Sequence, residues 1–217
     1  ALGIYFSGGT GGTTQQPAPT GRPPAKTVEI DKNDLLAGGM TLGNPEAPLV
    51  IAELADFQCP VCGRFTHETA PKIIEKYVKT GKVFLVYHDF AFLGPESTYA
   101  AEAARCAGDQ GKFWQYHDYL YKYLNDNYFS KGKNGENVGA FEKENLKKFA
   151  QTLGLNSPAF NQCLDFEVHT ADVEASTAKG RALGISGTPG FIIGDEVVSG
   201  ALPFAEFQRI IDSKLTQ

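Results

Sequence analysis

The chain has 217 residues, 42% hydrophobic and 21% charged, which is enough apolar material for one full core and excludes a wholly disordered chain. Its 20 basic and 25 acidic residues give a net charge of -5, and no basic stripe runs along it, so a nucleic-acid surface has no electrostatic footing. Four cysteines, at 59, 62, 106 and 163, are too few for a disulfide-rich scaffold; they read as one close pair plus two isolated positions.

Residues 1–26 open with ALGIYFSGG and continue in Gly, Thr, Gln and Pro. Ala1–Phe6 is too short to cross a bilayer. It is either the outer end of a trimmed membrane anchor followed by a stalk, or a tail left after processing. Residues 7–25 cannot bury enough surface to fold alone and are expected to be a disordered, flexible linker. Thr27–Ile30 alternates like a short edge strand, and Asp31–Pro48, rich in Gly, Asn and Pro, reads as loop.

Leu49–Ala55 (LVIAELA) is a nearly continuous apolar run with β-branched content, the pattern of a buried central strand, interrupted by Glu53. A helix is expected from the CPVC segment to Lys79, with Pro60 at an early position that needs no N–H, Pro71 kinking or splitting it and Gly81 ending it. Val83–His88 (VFLVYH) is a second buried strand, and strand–helix–strand implies a parallel βαβ unit.

Helical spacing then recurs over Ser97–Gln110, Lys112–Leu124, Lys143–Leu153, a stretch opened by Ser157 as N-cap, and Val168–Leu183. Residues 126–139 are expected to be an exposed loop. About 85 residues are thus helical and inserted after the βαβ unit. Gly190–Ile193 and Val197–Ser199 flank a Gly194-Asp195 turn as a hairpin, and Pro203–Leu215 closes the chain as an amphipathic helix. The segments are 27–95, a helical insertion 96–183, and 184–217.

Cys59 follows a buried strand and opens a helix. Free N–H groups and the helix dipole favour an anion there, and that anion is the nucleophilic thiolate. Cys62, one turn further in, can attack a mixed disulfide on Cys59 and resolve it. Half a zinc site or a plain structural disulfide are the alternatives for CxxC, but a zinc ribbon needs a second ligand pair that the sequence does not supply; no metal or cofactor is expected. Glu53 lies six residues before Cys59. Either it is a buried acid that exchanges a proton with Cys62, its pKa raised by burial, or it is a solvated residue at a strand edge. Thr188-Pro189 precedes the hairpin. A cis bond there would turn backbone toward the cysteines and let an extended substrate pair by strand addition; a trans turn is the other reading. His117 reads as a satisfied packing residue sharing a helix face with Trp114, His67 as a residue at the site's edge, and His88 and Asp89 as without a role.

The stretches EAPLVIAELADFQCPVCGRF, AARCAGDQGKFWQYHDYLY and GISGTPGFIIGDEVVSGALP resemble the DsbA family of thiol:disulfide oxidoreductases, from about residue 41 to 215. The resemblance implies an α/β class, a thioredoxin fold with an inserted helical domain. It implies disulfide formation or exchange in thiol-bearing, unfolded protein substrates, in the periplasm or at the cell-envelope exterior; the protein is expected to act as a monomer, with a membrane anchor one reading of its N-terminal segment. Cys59 would be the nucleophile, Cys62 the resolving thiol, Glu53 the buried acid and Pro189, after Thr188, the cis proline. Re-oxidation would fall to a membrane quinone-linked partner of the DsbB or vitamin K epoxide reductase-like type. A reductase or isomerase on the same fold, and a peptide-binding chaperone using the cis-proline groove, are the rivals. Well-known members carry His inside the motif; between Pro60 and Cys62 this chain has Val61, which offers neither charge nor hydrogen bond and implies a less oxidising couple. Cys106 and Cys163, both in the insertion, are expected to form a structural disulfide, the alternative being two buried free thiols.

Overall fold

The computed structural model of the protein describes residues 26–216; the expected linker lies outside the described residues except for Lys26. Among the described residues, β1 (Lys26–Thr27), β2 (Met40–Leu42), β3 (Leu49–Ala55), β4 (Val83–Asp89), β5 (Gly190–Ile193) and β6 (Glu196–Ser199) form one sheet in the order β1-β6-β5-β3-β4-β2. β3 and β4 pair in parallel, Glu53 opposite Tyr87, and β5 runs antiparallel to β3. The parallel pair explains the continuous apolar runs, because helices cover both faces of the sheet. Leu49 and Ile51 pack on one face with Phe65, Phe191, Phe207 and Ile211, while Val50, Ala52 and Leu54 pack on the other with Val86, Phe90 and Ile192. By this period-2 alternation Glu53 belongs to the first face, with Ile51.

The connection from β3 to β4 is the expected helix in three pieces: α2 (Pro60–Glu68), α3 (Ala70–Ile73) and a π-helical turn, Ile74–Val78. The break falls at Thr69, two residues before Pro71, whose ring cannot follow an uninterrupted helix. The helices between β4 and β5 are α4 (Pro95–Gly108), α5 (Phe113–Asn127), α6 (Lys143–Thr152), α7 (Ser157–Asp165) and α8 (Thr170–Ala182); α9 (Phe204–Leu215) returns to the sheet. Their apolar faces meet in a separate core containing Tyr116, Leu120, Phe141, Leu146, Phe160 and Leu164, which also reaches Cys59 and Cys62. Gly180 lets α8 lie directly on the sheet: a Cβ there would stand 2.6 Å from the Phe90 ring and 2.7 Å from Leu54.

Four local expectations need correction. The 31–48 stretch is not all loop: it holds α1 (Lys32–Leu36), capped by the Asp31 carboxylate on the Asn33 N–H, and β2, which exists because it pairs with β4. The first edge strand is Lys26–Thr27 rather than Thr27–Ile30, so Lys26 belongs to the sheet. Ser157 is inside its helix; Asn156 is the cap, its side chain accepting from the Ala159 N–H at 3.1 Å. The loop expected over 126–139 carries the last residues of α5 and a 3-10 turn at Phe129–Lys131.

Candidate active site

Cys59 is the N-cap of α2 and Pro60 its first helical residue. The chain enters through a tight turn in which the Cys59 N–H donates to the Asp56 carbonyl at 3.0 Å. Cys59 keeps 6% of its surface exposed and Cys62 none, so an incoming sulfur can reach only Cys59. Both are free thiols. The Cys59 thiol is shifted down to about 6, chiefly because Cys62 donates a hydrogen bond to it; burial opposes the shift, and Thr188 with the N–H groups of Cys62 and Val61 adds to it. Burial, followed by the same hydrogen bond and the neighbouring Cys59 charge, pushes the Cys62 thiol well up. The pair therefore splits into one readily ionised sulfur and one held protonated.

The Thr188–Pro189 bond is cis, and the Cys59 thiol donates to the Thr188 carbonyl at 3.4 Å. The segment before β5 thus lies against the reactive sulfur, 129 residues away in sequence.

Glu53 is 2% exposed, and its Oε1 has no hydrogen-bond partner among the described residues. Burial, helped by the nearby Asp118 and Cys59 charges, raises its carboxyl from 4.5 to about 8. The strand-edge reading does not hold. Glu53 lines a cavity of about 490 Å³ that also touches His67, Trp114, His117 and Asp118. His67 lies at the site's edge in a second sense, lining a smaller surface depression with Pro60 and Arg64.

Sequence reasoning missed the group that shapes the turn before Cys59. Asp56 is fully buried; its carboxylate accepts from the Gln58 N–H at 2.8 Å, the Ser97 hydroxyl at 2.7 Å, and the Phe92 and Leu93 N–H groups at 2.9 and 3.1 Å. Gln58 extends the network, its Nε2 donating to Ser97 and its Oε1 accepting from the Asn137 N–H. An Asp two residues before a polar position at the end of a strand is the local signal of such an Asx turn. His88 and Asp89, given no role, are structural: the His88 ring bonds the Leu35 carbonyl at 2.7 Å and Asp89 pairs with buried Arg105 at 2.6 Å.

The mixed sheet, the helix opened by a cysteine pair and the cis-proline segment against it define a thiol–disulfide oxidoreductase of thioredoxin fold. The thioredoxin family model matches residues 36–213, and the chain belongs to that family. It is 26% identical over 182 residues to disulfide bond formation protein D of Bacillus subtilis, covering 83% of this chain and 78% of that one. A protein of Rickettsia prowazekii that carries the name of a protein-disulfide oxidoreductase is 29% identical over 180 residues, 82% of this chain; the chain spans 61% of that relative's length. Among solved structures, oxidised BdbD of Bacillus subtilis superposes with a TM-score of 0.75 at 21% identity, covering 89% of this chain and 99% of that one. The α-DsbA1 of Wolbachia pipientis superposes at 0.72 with 23% identity, covering 83% and 92%. These two likenesses bear on the fold. Cys106 and Cys163 are joined, 57 residues apart in sequence, tying α4 to α7. No helix among the described residues is long and apolar enough to cross a membrane.

Proposed function

We propose that this chain oxidises pairs of thiols in unfolded or extended proteins, outside the cytoplasm, through a mixed disulfide on Cys59. The observation that carries the reading is the asymmetry of the two sulfurs, one at a helix start with its acidity raised to about 6 and one sealed beneath it. In the oxidised protein a substrate thiolate attacks Cys59 Sγ. The Cys59–Cys62 bond breaks, its electron pair goes to Cys62, and Cys62 takes up a proton, for which Glu53 is the buried acid in place. A second substrate thiolate then attacks the substrate sulfur of the mixed disulfide, leaving oxidised substrate and the Cys59 thiolate. Attack by Cys62 on the mixed disulfide is the reverse route, which returns the substrate reduced. A sulfur stabilised as thiolate stabilises the reduced protein, which makes the oxidised protein the stronger oxidant.

The Thr188–Pro189 segment offers backbone beside Cys59 for an extended substrate to pair with. The relatives named for disulfide formation support this direction, and a Cys106–Cys163 disulfide fits an oxidising compartment outside the cytoplasm. We assign the chain a membrane quinone-linked re-oxidant of the DsbB or vitamin K epoxide reductase-like type and action as a monomer.

The test is the Cys59–Cys62 reduction potential, measured by equilibration with glutathione, beside oxidation of a reduced, unfolded model protein. A value between roughly -120 and -180 mV with oxidation abolished in Cys59→Ser supports an oxidant; a value near about -270 mV makes the protein a reductase.

A further inference from the structure

The sealed position of Cys62 leaves a proton to be moved in and out while a substrate covers Cys59. The cavity of about 490 Å³ that reaches Glu53 has neither Cys59 nor Thr188 in its walls; it is lined instead by residues of α5 and of the split helix. We propose that His117 and Asp118 form a proton relay connecting Glu53 to solvent through this cavity, so that Cys62 exchanges its proton on the side away from the bound substrate. The proposal rests on the dithiol–disulfide reading above.

His117 has a buried side chain, while the adjacent Asp118 side chain is 68% exposed. His117 Nδ1 and Asp118 Oδ1 are 2.8 Å apart. An ionised carboxylate only accepts, so Nδ1 carries the hydrogen and Nε2 presents a lone pair. That Nε2 is buried without a hydrogen-bond partner among the described residues, as is Glu53 Oε1. Glu53 and His117, the residues that carry these two groups of complementary chemistry, an acid and a base, line one cavity. Such groups are costly in a core, and this cavity, walled by apolar side chains with the acid and the imidazole among them, is large enough for water to reach both residues.

The surroundings hold the ring without competing for it. His117 lies edge-on to Tyr87, Tyr121 and Trp114 at centroid distances of 5.1, 5.0 and 5.2 Å. Tyr87 is the β4 residue directly opposite Glu53. The Tyr87 and Tyr121 hydroxyls are occupied with each other and with the carbonyls of Ala55 and Asp56. Of the charged groups on the cavity wall, Lys79 pairs with Glu75 and Lys122 with Asp126. His67 enters from α2, and Cys59 and Cys62 lie within electrostatic reach of Glu53.

Substrate thiolate bonds to Cys59 Sγ, the Cys59–Cys62 bond breaks, and its electron pair stays on Cys62. The Glu53 carboxyl gives its proton to Cys62. The resulting carboxylate is re-protonated from His117 Nε2, which has taken a proton from solvent in the cavity as imidazolium paired with Asp118. One proton is taken up from solvent per disulfide reduced.

The experiment is rapid-quench reduction of the oxidised protein by dithiothreitol, read by thiol trapping from pH 5 to 9. Wild type is compared with Glu53→Gln, His117→Phe, Asp118→Asn and each relay variant combined with Glu53→Gln. Corrected for reagent thiolate, the wild-type rate should fall as the relay acid loses its proton, and each relay variant should lose that limb and run at least about fivefold slower near pH 6, less than the 10²–10⁴ of a complete general acid. In the Glu53→Gln background neither should slow the reaction further. Single variants that match wild type, or that lose as much rate without Glu53 as with it, overturn the relay and leave His117 a packing residue. Should His117→Phe fail to fold, Asp118→Asn, an exposed substitution, decides alone. A Glu53→Gln protein with wild-type rate and profile overturns the acid role of Glu53 itself, a different failure.

Discussion

The Cys59 thiol donates to the carbonyl oxygen of Thr188 at 3.4 Å, so the residue before the cis proline touches the reactive sulfur directly. That contact belongs to the protonated thiol. Once ionised, the sulfur is held by hydrogen bonds from Cys62 and the Thr188 side chain and by the N–H groups of Cys62 and Val61. Alkylation of the reduced native protein should therefore modify Cys59 alone, with a rate that rises around pH 6 and levels off above about pH 7. A midpoint near about 8.5, the value of a free cysteine, or equal labelling of Cys62 found by peptide mapping, would remove the asymmetry on which the proposed chemistry stands.

Glu53 should cost the folded protein stability in a pH window set by its own shift. Below pH 4.5 the carboxyl is protonated in folded and unfolded chains alike and contributes nothing. Between 4.5 and about 8 the unfolded chain ionises while the folded one does not, so folding stability falls as pH rises, by at most about 1.4 kcal/mol per pH unit. Glu53→Gln has no such titration. Its stability relative to wild type, from urea unfolding of the proteins with Cys59 and Cys62 reduced, should rise steadily from pH 5 to 8 by up to about 4 kcal/mol. A difference that stays flat across that range would show that Glu53 ionises freely in the fold.

Those two residues are legible in the sequence for the same reason that β3 and β4 are. A strand covered on both faces has to be apolar throughout, so a lone carboxylate within LVIAELA and a CxxC directly after it stand out against a uniform background. Where tertiary pairing does the work, the sequence is silent. Met40–Leu42 is a strand only because β4 offers it an open edge, and α1 is five residues held by the Asp31 cap and the burial of Leu35. The Asp56 network is likewise hidden: Ser97 and the chain around Asn137 join it from 41 and about 80 residues away, and no local period records such a meeting. His117 reads as packing by its apolar surroundings, and five aromatic rings do surround it; its unpartnered Nε2 is visible only in three dimensions.

Val61 sits at the second helical position of α2, half-buried against the helical core. Its N–H serves the Cys59 sulfur, and its side chain adds nothing. Val61→His should place a donor and partial positive charge near the thiolate, lower the Cys59 pKa further and shift the pair toward the reduced form. Each tenfold stabilisation of the reduced form raises the potential by about 30 mV for a two-electron couple. Equilibration of both proteins with the same glutathione buffers measures the change; an unchanged or lower potential in Val61→His would mean that the Val61 position does not govern the couple.

The Cys106–Cys163 bridge closes a loop that runs from α4 to α7, its ends 57 positions apart in sequence. In the chain-entropy account, a closure of that length restricts the unfolded state by about 4 kcal/mol. The two sulfurs sit far from the exchange chemistry in sequence, and Cys106 is buried, so the bond is positioned to hold α4 against α7 rather than to turn over. Replacing both cysteines by Ala should lower unfolding stability by about 2–4 kcal/mol and leave the Cys59–Cys62 potential unchanged. Denaturant titration and glutathione equilibration of the same variant separate the two effects. A potential that moves with the bridge would make it part of the redox machinery, and unaltered stability would mean that the helices are held by their packing alone.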